Sequence, residues 1–404
     1  MTQLPGDSKG RPDLTETSAS RIHDPGYTAG LSRSEREAAR SRDGSDEARP
    51  GLVGRVKRLV PAAVRHRAVP PLGHLRSQYD PRPLRVPASY ARVVAPEPAP
   101  SISVVIPSLD YGRYLGATLN SLLEQEYPDL ELIVADGGST DGTSRVLQRH
   151  SDGIARVLGG DEGQGDAINR GLADSSGEIM AWLNADDITL PGSLAFVARY
   201  FDRHPEVDVL YGNRVLLNDD GDDVGVWVTP RHCEDSIQWF DFIPQETVFW
   251  RRSIWEQTGG IDTRFDYGFD WELFLRFQRA GATFARTPRF LGAFRQHDDQ
   301  KTRTWHGDAQ NELETIRCRH HERRVGLGEA QARAEKLLLK AGPHHLLRKT
   351  AWHAPRRSIE VDAAPDEEMA KRRLAAGAPR RERAEREPAA ADTHAADPVG
   401  LPRS

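Results

Sequence analysis

The sequence predicts an α/β fold built on one mostly parallel sheet, and three segments carry the prediction. SISVVIP, which begins at Ser101, is a short β-branched run ended by proline, the pattern of a buried strand. GRYLGATLNSLLEQEY follows with leucines at helical spacing, and LELIVADGG is a second apolar run that ends in a glycine turn. A strand, a helix and a second strand form a βαβ unit, in which the two strands run parallel.

The alternation of helices and strands continues through the middle of the chain. Thr140 to His150 and Ala167 to Ala173 are predicted to be helical, and EIMAWLNADD is a predicted strand with acids at its carboxyl end. LPGSLAFVARYFDRHP predicts a helix, VDVLYGNRVLL and VGVWV predict strands, and IDTRFDYGFDWELFLRFQRAGATFA predicts another helix. Ligands of open α/β sheets bind at the carboxyl ends of the strands, so acids at that edge are candidate site residues.

Changes in composition divide the chain into five parts. Residues 1–50 are polar and hardly aromatic, so they cannot bury enough apolar surface to offset chain entropy and are predicted to be disordered. Residues 51–100 form a basic, proline-rich linker, and residues 101–305 form the single α/β domain. Residues 306–350 are predicted to be helical, and residues 351–404 are a charged tail that we expect to be disordered or loosely helical.

Composition and charge exclude several classes of protein. The 55 basic and 60 acidic residues leave a net charge of -5, so no nucleic-acid partner is expected. Cys233 and Cys318 lack CxxC spacing, which argues against a disulfide scaffold or a zinc ribbon. No run approaches the roughly 18 to 20 apolar residues that span a bilayer. The polar first residues, MTQLPGDSKG, lack the apolar core that a secretory signal is expected to have. The expected location is cytoplasmic, with peripheral contact of the basic linker to an anionic membrane face left open beside a simply solvated linker.

The segment Asn184-Ala185-Asp186-Asp187 places two adjacent carboxylates directly after an apolar strand. Burying two like charges side by side is costly unless a cation neutralises them. Mg²⁺ typically binds one or two carboxylates together with substrate phosphate oxygens, so the pair is a candidate metal site. The alternative is that Asp186 or Asp187 only caps the following helix. The motif alone leaves both interpretations open.

The segment ADGGSTDGT is the second candidate. Asp136 ends a predicted strand, and the glycines after it permit a tight turn close to a ligand. A carboxylate in that position can accept hydrogen bonds from a base or a ribose. The alternative is ordinary loop chemistry, in which Ser139, Thr140 or Asp141 caps the next helix.

A run of acids between two predicted strands carries no functional assignment. It comprises Asp219, Asp220, Asp222 and Asp223, with Gly221 between them. Such a cluster has the oxygen ligands that Ca²⁺ prefers. Its glycine and its position between two strands favour a solvated hairpin turn instead.

Five segments together resemble glycosyltransferase family 2. They are IPSLDYGRYL, VADGGSTDGT, GQGDAINRG, WLNADD and GFDWELFLR, and they occur in the family's order between roughly Ser101 and Thr302. The resemblance implies the GT-A fold, a single mixed and mostly parallel sheet flanked by helices. It also implies an inverting enzyme that moves a sugar from a nucleotide-diphosphate sugar to an acceptor hydroxyl.

The resemblance also implies roles for individual residues. The nucleotide-sugar side would comprise Pro107, Asp110, Asp136, Asp166, Asn169 and Asp186, with Asp186 at the ribose. The metal, Mg²⁺ or Mn²⁺, would be held by Asp187, with His297 as a second ligand unless it is an ordinary loop histidine. Asp270 matches the general base, and the acceptor side would comprise Gln245, Trp271 and Glu272, with Trp271 as a platform for a sugar face.

The expected partners follow from the same resemblance. A UDP-sugar is the favoured donor, and a glycan or lipid-linked glycan of cell-envelope or exopolysaccharide assembly is the expected acceptor. Two other functions stay open. A nucleotidyltransferase would need a basic, glycine-rich phosphate loop near the first strand, where SLDYGRYL offers only Arg113. A non-catalytic nucleotide-sugar binder or scaffold would act through the long flanks.

Overall fold

The computed structural model describes most of the predicted domain and part of each flank. The described residues are 77–230, 234–301, 306–326, 328–330, 332–333, 347, 349–353 and 357–366. All of them lie in the compact unit Ala62–Ser404. Three predictions therefore fall outside the described part of the chain. They are the disorder of residues 1–50, the linker up to residue 76 and the tail after residue 366. None of the described helices is long and apolar enough to cross a bilayer.

Strands and helices alternate through most of the described chain. The strands are β1 (Arg85–Pro87), β2 (Ile102–Ser108), β3 (Leu130–Asp136), β4 (Arg156–Gly159), β5 (Ile179–Trp182), β6 (Ile188–Thr189), β7 (Val209–Leu217), β8 (Asp223–Trp227), β9 (Phe249–Arg251), β10 (Phe284–Arg295) and β11 (Ser358–Glu360). The helices are α1 (Gly112–Leu123), α2 (Thr143–Arg149), α3 (Gln164–Ala173), α4 (Ser193–Arg203), α5 (Glu234–Ile237), α6 (Arg252–Thr258), α7 (Phe269–Arg279) and α8 (His306–His321).

One mixed sheet of nine strands organises the domain. Its order is β4-β3-β2-β5-β9-β7-β10-β6, with β8 paired to β7. The neighbours β4, β3, β2 and β5 are parallel, and β10 is parallel to β7. Strand β9 is antiparallel to both β5 and β7, so β5 and β7 share one direction. The prediction of a mixed, mostly parallel sheet flanked by helices is therefore confirmed.

Helices cover both faces of this sheet. Because side chains alternate along a strand, Val105 of β2 faces one apolar cluster while Val104 and Ile106 face another. The first cluster includes Ile168 and Leu172 of α3 and Phe274 of α7. The second cluster includes residues of α1 and α4, namely Leu115, Leu119, Leu194 and Val197. Two covered faces explain why the strands read as continuous apolar runs.

The described part of the segment predicted to be a linker, residues 77–100, packs onto the domain. Leu84 and Val86 are buried, and β1 pairs with β11 from the C-terminal side of the domain. Both residues join a third apolar cluster with Trp352. A strand of three residues is too short to give a periodic signal, so the sequence pattern did not reveal it.

Candidate active site

The carboxyl ends of the parallel strands meet at one edge of the sheet. Ser108 at the end of β2 pairs with Asp136 at the end of β3, and Asp136 pairs with Gly159 at the end of β4. Strand β5 ends at Trp182, two residues before Asn184. The candidate acids of two separate motifs therefore lie along the same edge, as the sequence predicted.

Two loops join at Ser139 on this edge. The Ser139 hydroxyl donates to Oδ1 of Asp136 over 2.5 Å, and the Asp110 backbone N–H donates to that hydroxyl oxygen over 2.8 Å. Asp110 in turn accepts from the Thr140 N–H over 2.7 Å. Pro107 is buried beneath them at the end of β2, whereas Asp110 is exposed and Asp136 is half-buried. Asp110 and Asp136 are therefore brought together with oxygens that solvent can reach.

The two predicted nucleotide residues of α3 have different surroundings. Asp166 is half-buried in the first turn, where its carboxylate accepts from the Glu162 N–H over 3.0 Å. Asn169 holds the backbone of Ile261 from both sides: its Oδ1 accepts from the N–H over 2.7 Å and its Nδ2 donates to the carbonyl over 2.9 Å. Asn169 therefore positions the loop that leads to α7, which differs from its predicted contact with the nucleotide.

The acidic pair after β5 is buried, and its two members have different partners. Nε2 of His297 lies 3.0 Å from Oδ2 of Asp186. Asp187 is 1% exposed, and its Oδ1 accepts from the Arg295 backbone N–H over 3.0 Å. Burial raises the pKa of Asp187 well above its ordinary value, and the neighbouring charge of Asp186 adds to the rise. The structure thus brings His297 against Asp186, whereas the sequence assigned the metal to Asp187 with His297.

His297 is enclosed by aromatic rings. The ring of Tyr114 lies 4.6 Å from the imidazole and that of Tyr111 lies 5.9 Å away, measured between centroids. His297 is buried, and its Nδ1 has no hydrogen-bond partner among the described residues. An imidazole in such surroundings has only Nε2 for polar contacts, and Nε2 points to Asp186.

Amide side chains surround the acidic pair on the side of β5. Gln164 donates to Oδ1 of Asn184 over 3.0 Å, and Lys301 lies 3.3 Å from Oε1 of Gln164. Gln245 donates to the Trp182 carbonyl over 2.8 Å, and its Oε1 lies 3.4 Å from Nδ2 of Asn184. Gln245 therefore supports the acidic loop, which differs from its predicted place on the acceptor side.

Asp270 lies in the first turn of α7, with its Oδ1 accepting from the Trp271 N–H over 2.8 Å. Desolvation by the surrounding protein raises its pKa to about 6, against the lowering effects of that N–H and of Arg214. Asp241 is exposed to water, yet the protein around it raises its pKa well above the ordinary value, and Asp270 adds to the rise. The charge of Asp270 acts on Asp241, so the two carboxyl groups lie near each other.

A buried ion pair stands behind these carboxyl groups. Arg214 donates from Nε and Nη2 to the two oxygens of Glu246 over 2.7 and 2.5 Å. The charge of Arg214 lowers the pKa of Asp187, Asp241 and Asp270 alike. One buried cation therefore acts on both the acidic pair and Asp270, and neither Arg214 nor Asp241 was singled out from the sequence.

Two predicted acceptor-side residues prove to be structural. Trp271 is 1% exposed, and its indole N–H donates to the Ile237 carbonyl over 2.6 Å, so its ring cannot serve as a platform for a sugar. Glu272 is buried and pairs with Arg276 one turn along α7, at 2.8 Å. Both interpretations are corrected because helical periodicity turns these neighbours of Asp270 towards the core.

A family comparison covers the centre of this site. The family model described as Glycosyl transferase family 2 matches residues 103–270. Residues 103–270 thus form a domain that matches glycosyltransferase family 2. The match includes Asp136, the acidic pair and Asp270, and His297 follows it. The mixed sheet between helices agrees with the GT-A architecture that the resemblance implied.

Relatives of the family 2 domain are named as glycosyltransferases. An uncharacterized glycosyltransferase of Nostoc sp. is 32% identical over 174 residues, which is 40% of this chain and 54% of that protein. A PGL/p-HBAD biosynthesis glycosyltransferase of Mycobacterium tuberculosis is 29% identical over 183 residues, covering 44% of this chain and 70% of that protein. The chain thus spans about half the length of the Nostoc relative.

Solved structures show a more distant similarity to the domain. S. aureus TarS in complex with UDP-GlcNAc has a TM-score of 0.47 at 17% identity, covering 60% of this chain and 72% of that one. The mannosyltransferase PcManGT from Pyrobaculum calidifontis, in complex with GDP-Man and Mn2+, has a TM-score of 0.41 at 20% identity, covering 72% and 86%. Because these scores are low, the family assignment rests on the sequence match.

Proposed function

We propose that the family 2 domain transfers a sugar from a nucleotide-diphosphate sugar to an acceptor hydroxyl with inversion. One observation carries the proposal: the charges of Arg214 and Glu246 act both on Asp270, whose pKa is raised to about 6, and on Asp187 of the acidic pair. A general base works best when its pKa lies near the working pH. The family match and the names of the relatives support the same reaction class.

The donor would lie along the carboxyl edge of the sheet. Asp110 and Asp136 offer accessible carboxylates for the nucleoside, with Asp166 on the neighbouring helix. A UDP-sugar is the favoured donor, and a glycan or lipid-linked glycan is the proposed acceptor. The setting in envelope or exopolysaccharide assembly, on the cytoplasmic side, rests on family analogy.

The donor atoms near the acidic pair fit a divalent cation, Mg²⁺ or Mn²⁺. Ligands at right angles and about 2.1 Å from an ion are about 3 Å apart, and Nε2 of His297 lies 3.0 Å from Oδ2 of Asp186. We therefore place the cation at Asp186 and His297, with Asp187 supporting the loop. The described residues hold no group of three or more His, Cys, Asp or Glu side chains suited to a metal. Oxygens of the donor diphosphate would thus have to complete the ligand set.

The reaction follows from these positions. Asp270, when ionised, accepts the proton of the acceptor hydroxyl as that oxygen forms a bond to the anomeric carbon. The bond from this carbon to the diphosphate oxygen breaks on the opposite face, so one displacement inverts the configuration. A bound cation supplies positive charge where negative charge grows on the leaving diphosphate.

A panel of nucleotide sugars tests the proposal. Wild type is assayed with Mn²⁺ for transfer and hydrolysis beside Asp186→Ala and Asp270→Asn. We expect Asp270→Asn to bind the donor but to turn over about 10² to 10⁴-fold more slowly, because it cannot accept the proton. We expect Asp186→Ala to lose metal-dependent donor binding.

Asp220→Ala is the matched control, because Asp220 is an exposed acid in the turn between β7 and β8. It should retain wild-type activity. Full activity in Asp270→Asn would show that Asp270 is not the general base. A wild type that binds one donor without transfer or hydrolysis would favour the binder or scaffold, and formation of nucleotide sugars from sugar phosphates would favour the nucleotidyltransferase.

A further inference from the structure

The Arg295 side chain, at the carboxyl end of β10, is completely buried and contacts three separate segments. Its Nε donates to the Asp186 carbonyl over 2.9 Å, and its Nη1 donates to the Asp219 carbonyl over 3.1 Å. Its Nη2 donates to the Ala363 carbonyl over 2.6 Å. Its own backbone N–H holds Oδ1 of Asp187. One guanidinium thus joins the acidic loop, the β7–β8 turn and a segment far along the chain.

That distant segment, residues 357–366, is called here the C-terminal strap. Its first part is β11, which pairs with β1, and Arg85 forms an ion pair with Glu360 over 2.8 Å. Its last part, Ala363 and Ala364, is buried in the third apolar cluster beside Ile188, the residue that follows Asp187. The strap is therefore anchored at one end to the N-terminal segment and packed at the other beside the acidic loop.

The strap passes close to two glycines, where any side chain would overlap it. A Cβ on Gly221 would lie 2.2 Å from the Ala363 carbonyl oxygen, and the φ of Gly221 is +85°. A Cβ on Gly116 of α1 would lie 1.9 Å from Oδ1 of Asp366. Asp366 also forms an ion pair with Arg149 of α2. Helix α1, helix α2 and the β7–β8 turn thus form a surface against which the strap packs closely.

We propose that Arg295 is a positioning residue for the acidic loop and that the buried end of the C-terminal strap, Ala363 and Ala364, which lies outside the family-matched residues, holds Arg295 in place. Ala363 supplies the acceptor that orients one end of the guanidinium, and the other end then holds the backbone of Asp186. Buried guanidinium donors are costly to leave unpaired. Losing the strap therefore loosens the loop that presents the Asp186 carboxylate.

Hydrogen exchange on the purified full chain and on two shortened chains tests this proposal. One chain ends after residue 356 and lacks the strap, and the control chain ends after residue 366 and keeps it. Without the strap, we expect the amides of residues 184–190 to exchange at least tenfold faster, while those of β2 and β3 stay protected. A purely structural role would instead raise exchange throughout the sheet, which would overturn the proposal, as would unchanged exchange at the loop.

A point variant keeps the test decisive if the shortened chain does not fold. Ala364→Glu places a carboxylate in the apolar cluster and should displace the strap, whereas Ser358→Glu adds the same group at an exposed strap position. We expect faster loop exchange in Ala364→Glu alone. Equal exchange in the two variants would contradict the role of the strap.

Binding of Mn²⁺ alone, followed by electron paramagnetic resonance, adds a second readout. Displacing residues behind a metal ligand typically weakens metal affinity by about 10 to 100-fold, and we expect such a loss in Ala364→Glu with Ser358→Glu unchanged. The Mn²⁺-binding measurement rests on the proposed function, whereas the hydrogen-exchange measurement does not. If wild type binds no Mn²⁺ but the loop still loosens, the metal proposal fails and the positioning role stands.

Discussion

Adjacent residues of one short motif can serve different purposes, as Asp186 and Asp187 show. The side chain of Asp186 lies against His297, whereas that of Asp187 turns inward and accepts the Arg295 N–H. The two residues lie at a turn, which the Asp187 N–H closes by donating to the Asn184 carbonyl, and their side chains leave it towards different neighbours. The pKa of the buried Asp187 is raised because burial disfavours its charged form and the charge of Asp186 adds to the rise.

At Asp270, the raised pKa predicts the pH dependence of transfer. Below about pH 6 the carboxyl group is protonated and cannot accept the hydroxyl proton, so kcat/KM should fall about tenfold per pH unit, and above that value it should level off. The measurement is the pH profile of kcat/KM with the nucleotide sugar that the donor panel selects. Asp270→Asn serves as the control and should lack this limb. A wild-type limb near pH 4, the ordinary carboxyl value, would contradict the cause that we assign.

Among the elements, the longer helices and strands were predicted well and the short strands were missed. The predicted helix over Thr140 to His150 is observed as α2, and the strand VDVLYGNRVLL is observed as β7. Strands β6 and β9 have two and three residues, which is too short for a periodic signal. They form through pairing with neighbours that are distant in sequence.

Close packing between α3 and β2 predicts an effect on stability. A Cβ on Gly171 would lie 2.6 Å from Cγ1 of Val105, a buried and stiff β-branched side chain. Gly171→Val should therefore lower the free energy of unfolding by about 1 to 3 kcal/mol through overpacking. Urea denaturation measures the change. Arg170→Val, on the exposed side of the same helix, is the control and should stay within about 0.5 kcal/mol of wild type.

At the scale of the whole molecule, the buried acid Asp223 connects residues on both sides of the predicted domain to the sheet. Asp223 accepts from the Tyr79 hydroxyl over 2.5 Å, from Nη2 of Arg82 over 2.8 Å and from the Trp352 indole N–H over 3.1 Å. The sequence suggested a solvated turn for this acidic run. The hairpin is present, since β8 pairs with β7, but Asp223 itself is buried because both flanks fold over it.

Removing this connection should destabilise the molecule and release its flanks. In Asp223→Ala, buried donors of Tyr79 and Trp352 lose their acceptor, so we expect a loss of about 3 kcal/mol or more. Thermal unfolding measures the loss, and limited proteolysis should show new cleavage within residues 77–100. Asp220→Ala, in the same turn but exposed, should behave as wild type. Equal behaviour of the two variants would contradict the role of Asp223.

The sequence by itself determined the architecture and the general position of the site. Apolar runs at strand and helix spacing define the sheet, and the family segments place Asp136, the acidic pair and Asp270 at its ligand-binding edge. These features depend on neighbours along the chain, which periodicity and motifs record. The roles predicted for the metal and nucleotide residues remain proposals.

The tertiary structure alone decided which side chains meet. His297 and Asp186 are 111 positions apart, and Arg295 and Ala363 are 68 positions apart. No local pattern reports such pairs, since their contact depends on the strand order and on the direction in which each side chain leaves the backbone. For the same reason Trp271 and Asn169, which suited a ligand in the sequence, proved to be occupied by the core and by a neighbouring loop.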